Sequence, residues 1–267
     1  MKTAIIIPAR YGSSRFPGKP LAKIGGRSML SRVVEIVRAA AAGRGDVSLM
    51  VATEDARIAD HCAAIGVDCI MTSDRCRTGS DRVLEAAETA DGGFDFLMSL
   101  QGDAPFTPPT AMAMMLDAVA DNPEIAVVTP VIKLRWAELD ALREAKRTTP
   151  FSGTTAILDE SGRARWFSKN IIPAIRKEET LRADGDFSPV YQHIGLYGYR
   201  TDVLKRFVAL PEGNYERLEG LEQLRFLEND IPIQTVTIAV DAGLAQAGID
   251  SPEDIERAER FLEHNAQ

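Results

Sequence analysis

The sequence predicts an α/β fold, a mostly parallel sheet flanked by helices that continues into a mixed, antiparallel portion. Residues 4–7 form an apolar run too β-branched and too short for a helix, 47–53 and 67–71 read as a second and a third strand, and helical segments lie between them. The resulting βαβαβ alternation favours a parallel sheet with helices on both faces and its successive loops along one edge. Later, strand-like runs at 154–158 and 164–167 flank Asp159-Glu160-Ser161-Gly162, a hairpin turn, so antiparallel pairing is expected there. A chain of 267 residues suits one large domain with a substantial core.

Taken in order, the run at 4–7 is a buried strand whose ladder ends at Pro8. The loop beyond it carries Arg10, Arg15 and Lys19 among Gly12, Pro17, Gly18 and Pro20. Ligands of open α/β sheets bind at strand carboxyl ends, and three cations offset much of the roughly four negative charges of a nucleoside triphosphate. An ordinary basic surface loop explains any one of these cations but not three interleaved with Gly and Pro. The loop is no Walker-type P-loop, because the interval from Gly12 to Gly18 is one residue too long and Pro20 stands where Ser or Thr would hold a metal.

Ser28 caps the next helix, which buries Met29, Leu30, Val33, Val34, Ile36 and Val37 and ends before Gly43. A second helix covers 56–65 and stops at Gly66. After the third strand, Arg77-Thr78-Gly79-Ser80-Asp81-Arg82 leads into a helix at 80–90, where backbone amides and hydroxyls at a helix start could bind a base or phosphate or simply cap the helix. The strand at 94–100 runs into Gln101-Gly102-Asp103-Ala104-Pro105, which sets a carboxylate at a central strand's end, either as a turn residue or as a magnesium ligand beside the triphosphate.

A Met-rich core helix is expected at 109–120, a strand at 125–131, a charged helix at 133–146 and an exposed, mobile loop at 176–186. One strand at 190–200 contains His193, whose default reading is a satisfied core histidine. A helix at 215–228 places Glu219 and Glu222 one turn apart on a solvated face. A last strand covers 233–240, and Ser251-Pro252 opens a terminal helix while leaving Asp250 unassigned.

Acidic residues outnumber basic ones, 39 to 31, so the chain has no general attraction for nucleic acid or anionic membranes, and any anion site must be local. No apolar run approaches the ~20 residues of a membrane span, and a cytoplasmic protein is expected. Cys62, Cys69 and Cys76 offer no Cys-x-x-Cys and an odd count, which points to reduced thiols.

Six stretches together closely resemble the CMP-Kdo synthetase family, the cytidylyltransferases that activate 3-deoxy-D-manno-octulosonate (Kdo) for lipopolysaccharide. They are I-P-A-R-Y-G-S-S-R-F-P-G-K-P-L at 7–21, T-G-S-D-R at 78–82, Q-G-D-A-P at 101–105, H-I-G-L-Y-G-Y-R at 193–200, L-E-Q-L-R at 221–225 and G-I-D-S-P-E-D at 248–254. The resemblance covers nearly the whole chain. It implies a Rossmann-like nucleotidyltransferase fold in a single domain. A nucleotide-binding portion would span about 1–130 and a sugar-binding and dimerisation portion about 131–250. It further implies magnesium as cofactor, CTP and a 3-deoxy-2-keto sugar acid as substrates, and a homodimer. By that likeness Arg10, Arg15 and Lys19 hold the triphosphate, and Ala9, Thr78, Gly79, Arg82 and Gln101 contact the nucleotide. Asp103 and Asp250 carry magnesium, and Gln101, His193, Tyr197, Glu219 and Gln223 face the sugar acid.

The chain departs from the family pattern at Ala104, usually Glu, at Gly153-Thr154-Thr155-Ala156, usually a V-K-V strand, and at Lys169, usually Arg. Arg and Lys are not interchangeable where a carboxylate is gripped by two bonds, so 8-amino-Kdo or another ulosonic acid stays open as substrate. A nucleotide-binding regulator without turnover also stays open. A nicotinamide-dependent oxidoreductase ranks low, since no G-x-G-x-x-G follows the first strand.

Overall fold

The computed structural model describes residues 1–12, 16–240, 249, 254–256 and 258–260. The chain begins with β1 (Thr3–Pro8), a small hairpin of β2 (Lys23–Ile24) and β3 (Arg27–Ser28), then α1 (Met29–Ala40), β4 (Val47–Thr53), α2 (Ala56–Ala64) and β5 (Asp68–Met71). It continues through α3 (Gly79–Thr89), β6 (Phe96–Ser99), α4 (Pro109–Asp121), β7 (Val127–Arg135), α5 (Trp136–Thr148), β8 (Thr154–Leu158) and β9 (Ala164–Ser168). It closes with α6 (Glu178–Asp184), β10 (Phe187–His193), β11 (Tyr197–Arg200), α7 (Thr201–Val208), α8 (Asn214–Glu219), α9 (Leu224–Glu228) and β12 (Ile233–Ile238).

Every strand but β2 and β3 joins one sheet of order β5-β4-β1-β6-β11-β7-β10-β8-β9, with β12 paired to β7. The first four strands of that order are parallel. From β11 onward the path pairs antiparallel, while β12 lies parallel to β7. β1 is buried along its whole length, as its run of three isoleucines predicts. Its side chains alternate between the two cores: Ile5 and Ile7 pack on one face with Leu30, Val33 and Met112, and Ala4 and Ile6 on the other with Val83, Leu84 and Ala86. The Ser28 cap forms as expected, its hydroxyl accepting the Ser31 N–H at 3.0 Å.

Four expectations need correction. β7 runs on to Arg135, because Ile132 and Leu134 point inward while Lys133 and Arg135 point out; this is strand periodicity, and the charged helix starts only at Trp136. The expected mobile loop at 176–186 contains α6, which Arg143 and Arg182 clamp through Glu178, while Arg182 also bonds Asp140 at 2.6 Å and lies over the Trp136 ring. The segment 190–200 forms two strands, and Thr129 donates to the carbonyl of Leu196 in the turn between them at 2.7 Å. The expected helix at 215–228 breaks at Gly220, whose φ of 64° closes α8 in a left-handed cap that a side chain would strain. Glu219 and Glu222 therefore do not share a helical face. The expected Asp250 ligand, the Arg15 cation and the residues that open the terminal helix lie outside the described residues.

Candidate active site

The chain winds outward from β1 through β4 to β5 and then returns to β6 on the other side of β1. Loops leaving the carboxyl ends of strands at such a reversal diverge and open a crevice. A cleft of about 220 Å³ lies here, lined by Ala9, Arg10, Lys19, Cys76, Arg77, Thr78, Gly79, Arg82, Gln101 and Asp103.

Each wall has a local cause. The loop after β1 folds back so that the Gly18 N–H donates to the Tyr11 carbonyl at 2.9 Å. Gly18 sits at φ 73°, where a Cβ would lie 3.1 Å from the Tyr11 ring, so the return needs glycine. The other face of the cleft is the start of α3. Thr78 and Asp81 form a reciprocal capping box, and the Asp81 carboxylate also accepts the Arg77 N–H at 3.0 Å. The Thr78 hydroxyl thus caps α3 by accepting the Asp81 N–H, and the helix start borders the cleft at Thr78 and Gly79. Arg82, with a side chain 6% exposed, lies 2.6 Å from the Glu54 carboxylate and donates to the Thr72 hydroxyl, so it stiffens the wall with its charge already matched. Arg10 and Arg77 reach the cleft without a carboxylate partner among the described residues.

Lys19 and Asp103 meet across the cleft floor, Nζ to Oδ2 at 2.6 Å. Lys19 also donates to the Ile249 carbonyl at 2.8 Å, and the Ile249 N–H donates to the Asp103 carbonyl at 3.2 Å. The residue preceding Asp250 in sequence is therefore bonded to Asp103. Among the described residues no three His, Cys, Asp or Glu side chains cluster as a protein-only metal cage. Magnesium, however, characteristically takes one or two carboxylates together with substrate phosphates and water. A single carboxylate facing a cationic cleft fits that donor set.

A second polar region adjoins the first through α3. The Ser80 hydroxyl donates to Glu222 at 3.1 Å, behind which lie Tyr197 and Tyr199. Burial raises the carboxyl of Glu222 above its ordinary range, and its Oε1 has no partner among the described residues, nor do the Tyr197 hydroxyl and the Gln223 amide nitrogen. His193 is enclosed by the rings of Phe167 and Tyr197, with centroids 5.0 and 5.3 Å away. Burial, reinforced by the charge of Lys169, lowers its pKa to about 3, so the ring is neutral at physiological pH. The single Thr129 hydroxyl hydrogen is committed to the Leu196 carbonyl at 2.7 Å, so the His193 Nε2, 2.9 Å from that oxygen, is the donor, and Nδ1 is left as acceptor. Glu219 accepts from the Ser168 hydroxyl and the Lys169 N–H, both at 2.8 Å.

Residues 4–235 match the family described as Cytidylyltransferase. The chain belongs to the cytidylyltransferase family. Among its relatives, the 3-deoxy-manno-octulosonate cytidylyltransferase of Maricaulis maris is 42% identical over 98% of this chain and 97% of its own length. That of Desulfatibacillum aliphaticivorans is 38% identical over 98% and 99%. A solved structure of CMP:2-keto-3-deoxy-manno-octonic acid synthetase complexed with CTP superposes with a TM-score of 0.83 at 32% identity, covering 99% of this chain and all of the other.

In this cytidylyltransferase, Ala9, Arg10, Lys19, Thr78, Gly79, Arg82, Gln101 and Asp103 share one cleft. Tyr197 and Gln223 approach the region of Glu222, and His193 adjoins them through Tyr197. Glu219 accepts from Ser168 at the end of β9 and from Lys169 just beyond it, next to Phe167, whose ring packs on His193. Sequence reasoning missed Glu222, read as part of a solvated face. The helix-breaking Gly220 just before it was the available signal. It also left Arg77 unassigned, although a cation one residue ahead of a helix cap is well placed for an anion.

Proposed function

We propose that the protein transfers CMP from CTP to the anomeric hydroxyl of 3-deoxy-manno-octulosonate, releasing pyrophosphate, as a step towards lipopolysaccharide. The observation that carries this reading is the junction of two regions at α3: a cleft with Arg10, Lys19 and Arg77 against Asp103, and beside it a buried set of unpartnered polar groups around Glu222, Tyr197 and Gln223. The first suits a polyphosphate and the second a hydroxyl-rich acid. The names and lengths of the relatives support the same assignment.

In this account Arg10, Lys19 and Arg77 grip the triphosphate, with Arg15 as a further cation of the same loop. The open first turn of α3 donates N–H groups at the base or phosphate. Neutral His193 accepts a sugar hydroxyl at Nδ1, while Tyr197, Glu222 and Gln223 satisfy their open bonds on other sugar oxygens. Lys169 supplies positive charge for the sugar carboxylate. The anomeric oxygen attacks the α-phosphorus in line, the bond to the pyrophosphate oxygen breaks, and the hydroxyl proton passes to solvent. No side chain needs to form a covalent bond; catalysis is positioning and charge neutralisation. Magnesium held by Asp103, with Asp250 as its partner ligand, would neutralise charge on the attacking and leaving oxygens.

The reading extends to a cytoplasmic homodimer. No helix among the described residues is long and apolar enough to cross a membrane. The exposed Phe187 ring, beside Lys133, Arg135 and residues 237–240, offers a surface for a second copy. Pyrophosphate release from CTP and magnesium, with Kdo, 8-amino-Kdo and neuraminate offered in parallel, tests the function. Release with Kdo supports it, release only with another acid changes the substrate, and CTP binding without release from any acid overturns it in favour of a binding protein.

A further inference from the structure

The last turn of α5 carries Lys146, far in sequence from every residue assigned above. Its ammonium converges on four main-chain carbonyls, those of Ser152 and Lys169 at 2.5 Å, Gly153 at 3.2 Å and Pro150 at 3.3 Å. An ammonium has three donors, so this geometry consumes all of them. The Lys169 peptide is thereby held on both sides: its N–H is bonded by Glu219 from α8 and its carbonyl by Lys146 from α5. The next peptide is held as well, since the Thr155 hydroxyl donates to the Asn170 carbonyl at 2.7 Å and the Asn170 N–H donates to the Ser168 hydroxyl at 3.0 Å. Four side chains from separate elements thus fix a short stretch outside any helix or strand. The stretch follows Phe167, whose ring centroid lies 5.0 Å from that of His193, and the charge of Lys169 lowers the basicity of that histidine.

Holding a second ammonium near that of Lys169 is electrostatically adverse, and burial and mutual repulsion lower the proton affinity of Lys146. A structural tie between a helix end and a loop needs no such arrangement, whereas a fixed Lys169 gains from it: two cations and the carboxylate of Glu219 leave a net positive charge beside the Lys169 peptide. Resting on the substrate assignment made above, we propose that Lys146 is a positioning residue for the acidic substrate, aiming Lys169 by gripping its carbonyl, without touching either substrate.

The experiment is a cycle of Lys146→Met, Lys169→Met and the double variant, with KM measured separately for CTP and for Kdo, and the CTP dissociation constant as a check of the fold. Lys146→Met is expected to raise the KM for Kdo roughly ten-fold, the order of effect of a displaced charged contact, while the KM and dissociation constant for CTP stay within about two-fold. Added to Lys169→Met, it changes the KM for Kdo by less than about two-fold. Lys146→Arg, which keeps charge and donors, should hold the KM for Kdo within about three-fold of wild type. Equal weakening of both substrates, or an undiminished ten-fold effect in the absence of Lys169, overturns the positioning role alone. A wild type that makes no CMP-sugar overturns the functional reading and this proposal with it.

Discussion

Replacing Asp103 by Asn keeps the shape of the side chain and removes its charge, and the structure predicts opposite effects on turnover and on metal-free nucleotide binding. Asp103 Oδ2 lies 2.6 Å from Lys19 Nζ, with the two side chains 38% and 12% exposed, respectively. A pair of that exposure is worth about 1 kcal/mol, which Lys19 forfeits when it turns to a phosphate. In Asp103→Asn that cost disappears, and so does the repulsion between the carboxylate and the triphosphate, so both changes favour nucleotide binding. CTP should therefore bind about five-fold more tightly to the variant than to the wild type in a chelator, since 1.4 kcal/mol is a factor of ten. With magnesium present, turnover should fall at least ~10²-fold, the usual effect of losing one strong electrostatic group. Titration calorimetry in chelator and steady-state pyrophosphate release measure the two quantities. Wild-type turnover refutes the metal role, and weaker metal-free CTP binding refutes the role of the Lys19 pair.

Three buried or clamped groups, Glu222, His193 and Glu178, set further expectations. Glu222→Gln should raise the KM for Kdo about ten-fold without changing that for CTP. Because burial raises the Glu222 carboxyl above 4.5, its charge destabilises the fold once pH climbs past that value. The variant should therefore gain thermal stability at pH 8 and none at pH 4. His193 has the opposite dependence: with its folded pKa near 3 against an ordinary 6.5, the unfolded chain binds the extra proton between those values, and stability falls as pH drops through that window. Between pH 7.5 and pH 5 the wild type should lose about 2 kcal/mol more than His193→Asn in denaturant titrations, and parallel curves would contradict the buried neutral ring. Glu178, lowered to about 2 by Arg143 and Arg182, should hold α6 in place above pH 4.5 and release it progressively toward pH 2. Glu178→Gln should expose residues 176–186 to proteolysis at neutral pH while CTP turnover stays at the wild-type level.

The parallel half of the molecule was legible in the sequence because its signals are local. The run of three isoleucines marks β1, and the cap at Ser28 and the loops after β1 and β6 fall where sequence patterns put them, whereas α3 starts one residue earlier than expected, capped by Thr78. The antiparallel half was read less well. Lys133 and Arg135 obey strand alternation only once β7 is known to have one wet face, and composition alone reads such charges as helix. The clamp on α6 joins residues 35 and 42 positions apart, which no local pattern reveals. The same holds for the candidate site. The cationic loop and Asp103 stand out in sequence, but the partners that define Glu222, Lys146 and Lys169 come from elements that meet only in the folded sheet. Gly220 carries the one local clue, since a left-handed glycine cap ends the helix that would otherwise have put Glu222 on a solvated face.

Attack of the sugar's anomeric oxygen on the α-phosphorus of CTP can be followed by isotope transfer. Kdo carrying ¹⁸O at the anomeric hydroxyl is incubated with CTP, magnesium and the protein, and the products are weighed by mass spectrometry. The label should bridge sugar and phosphorus in a CMP-sugar, and pyrophosphate should be unlabelled. Label in pyrophosphate, or pyrophosphate formed with no CMP-sugar, would contradict it.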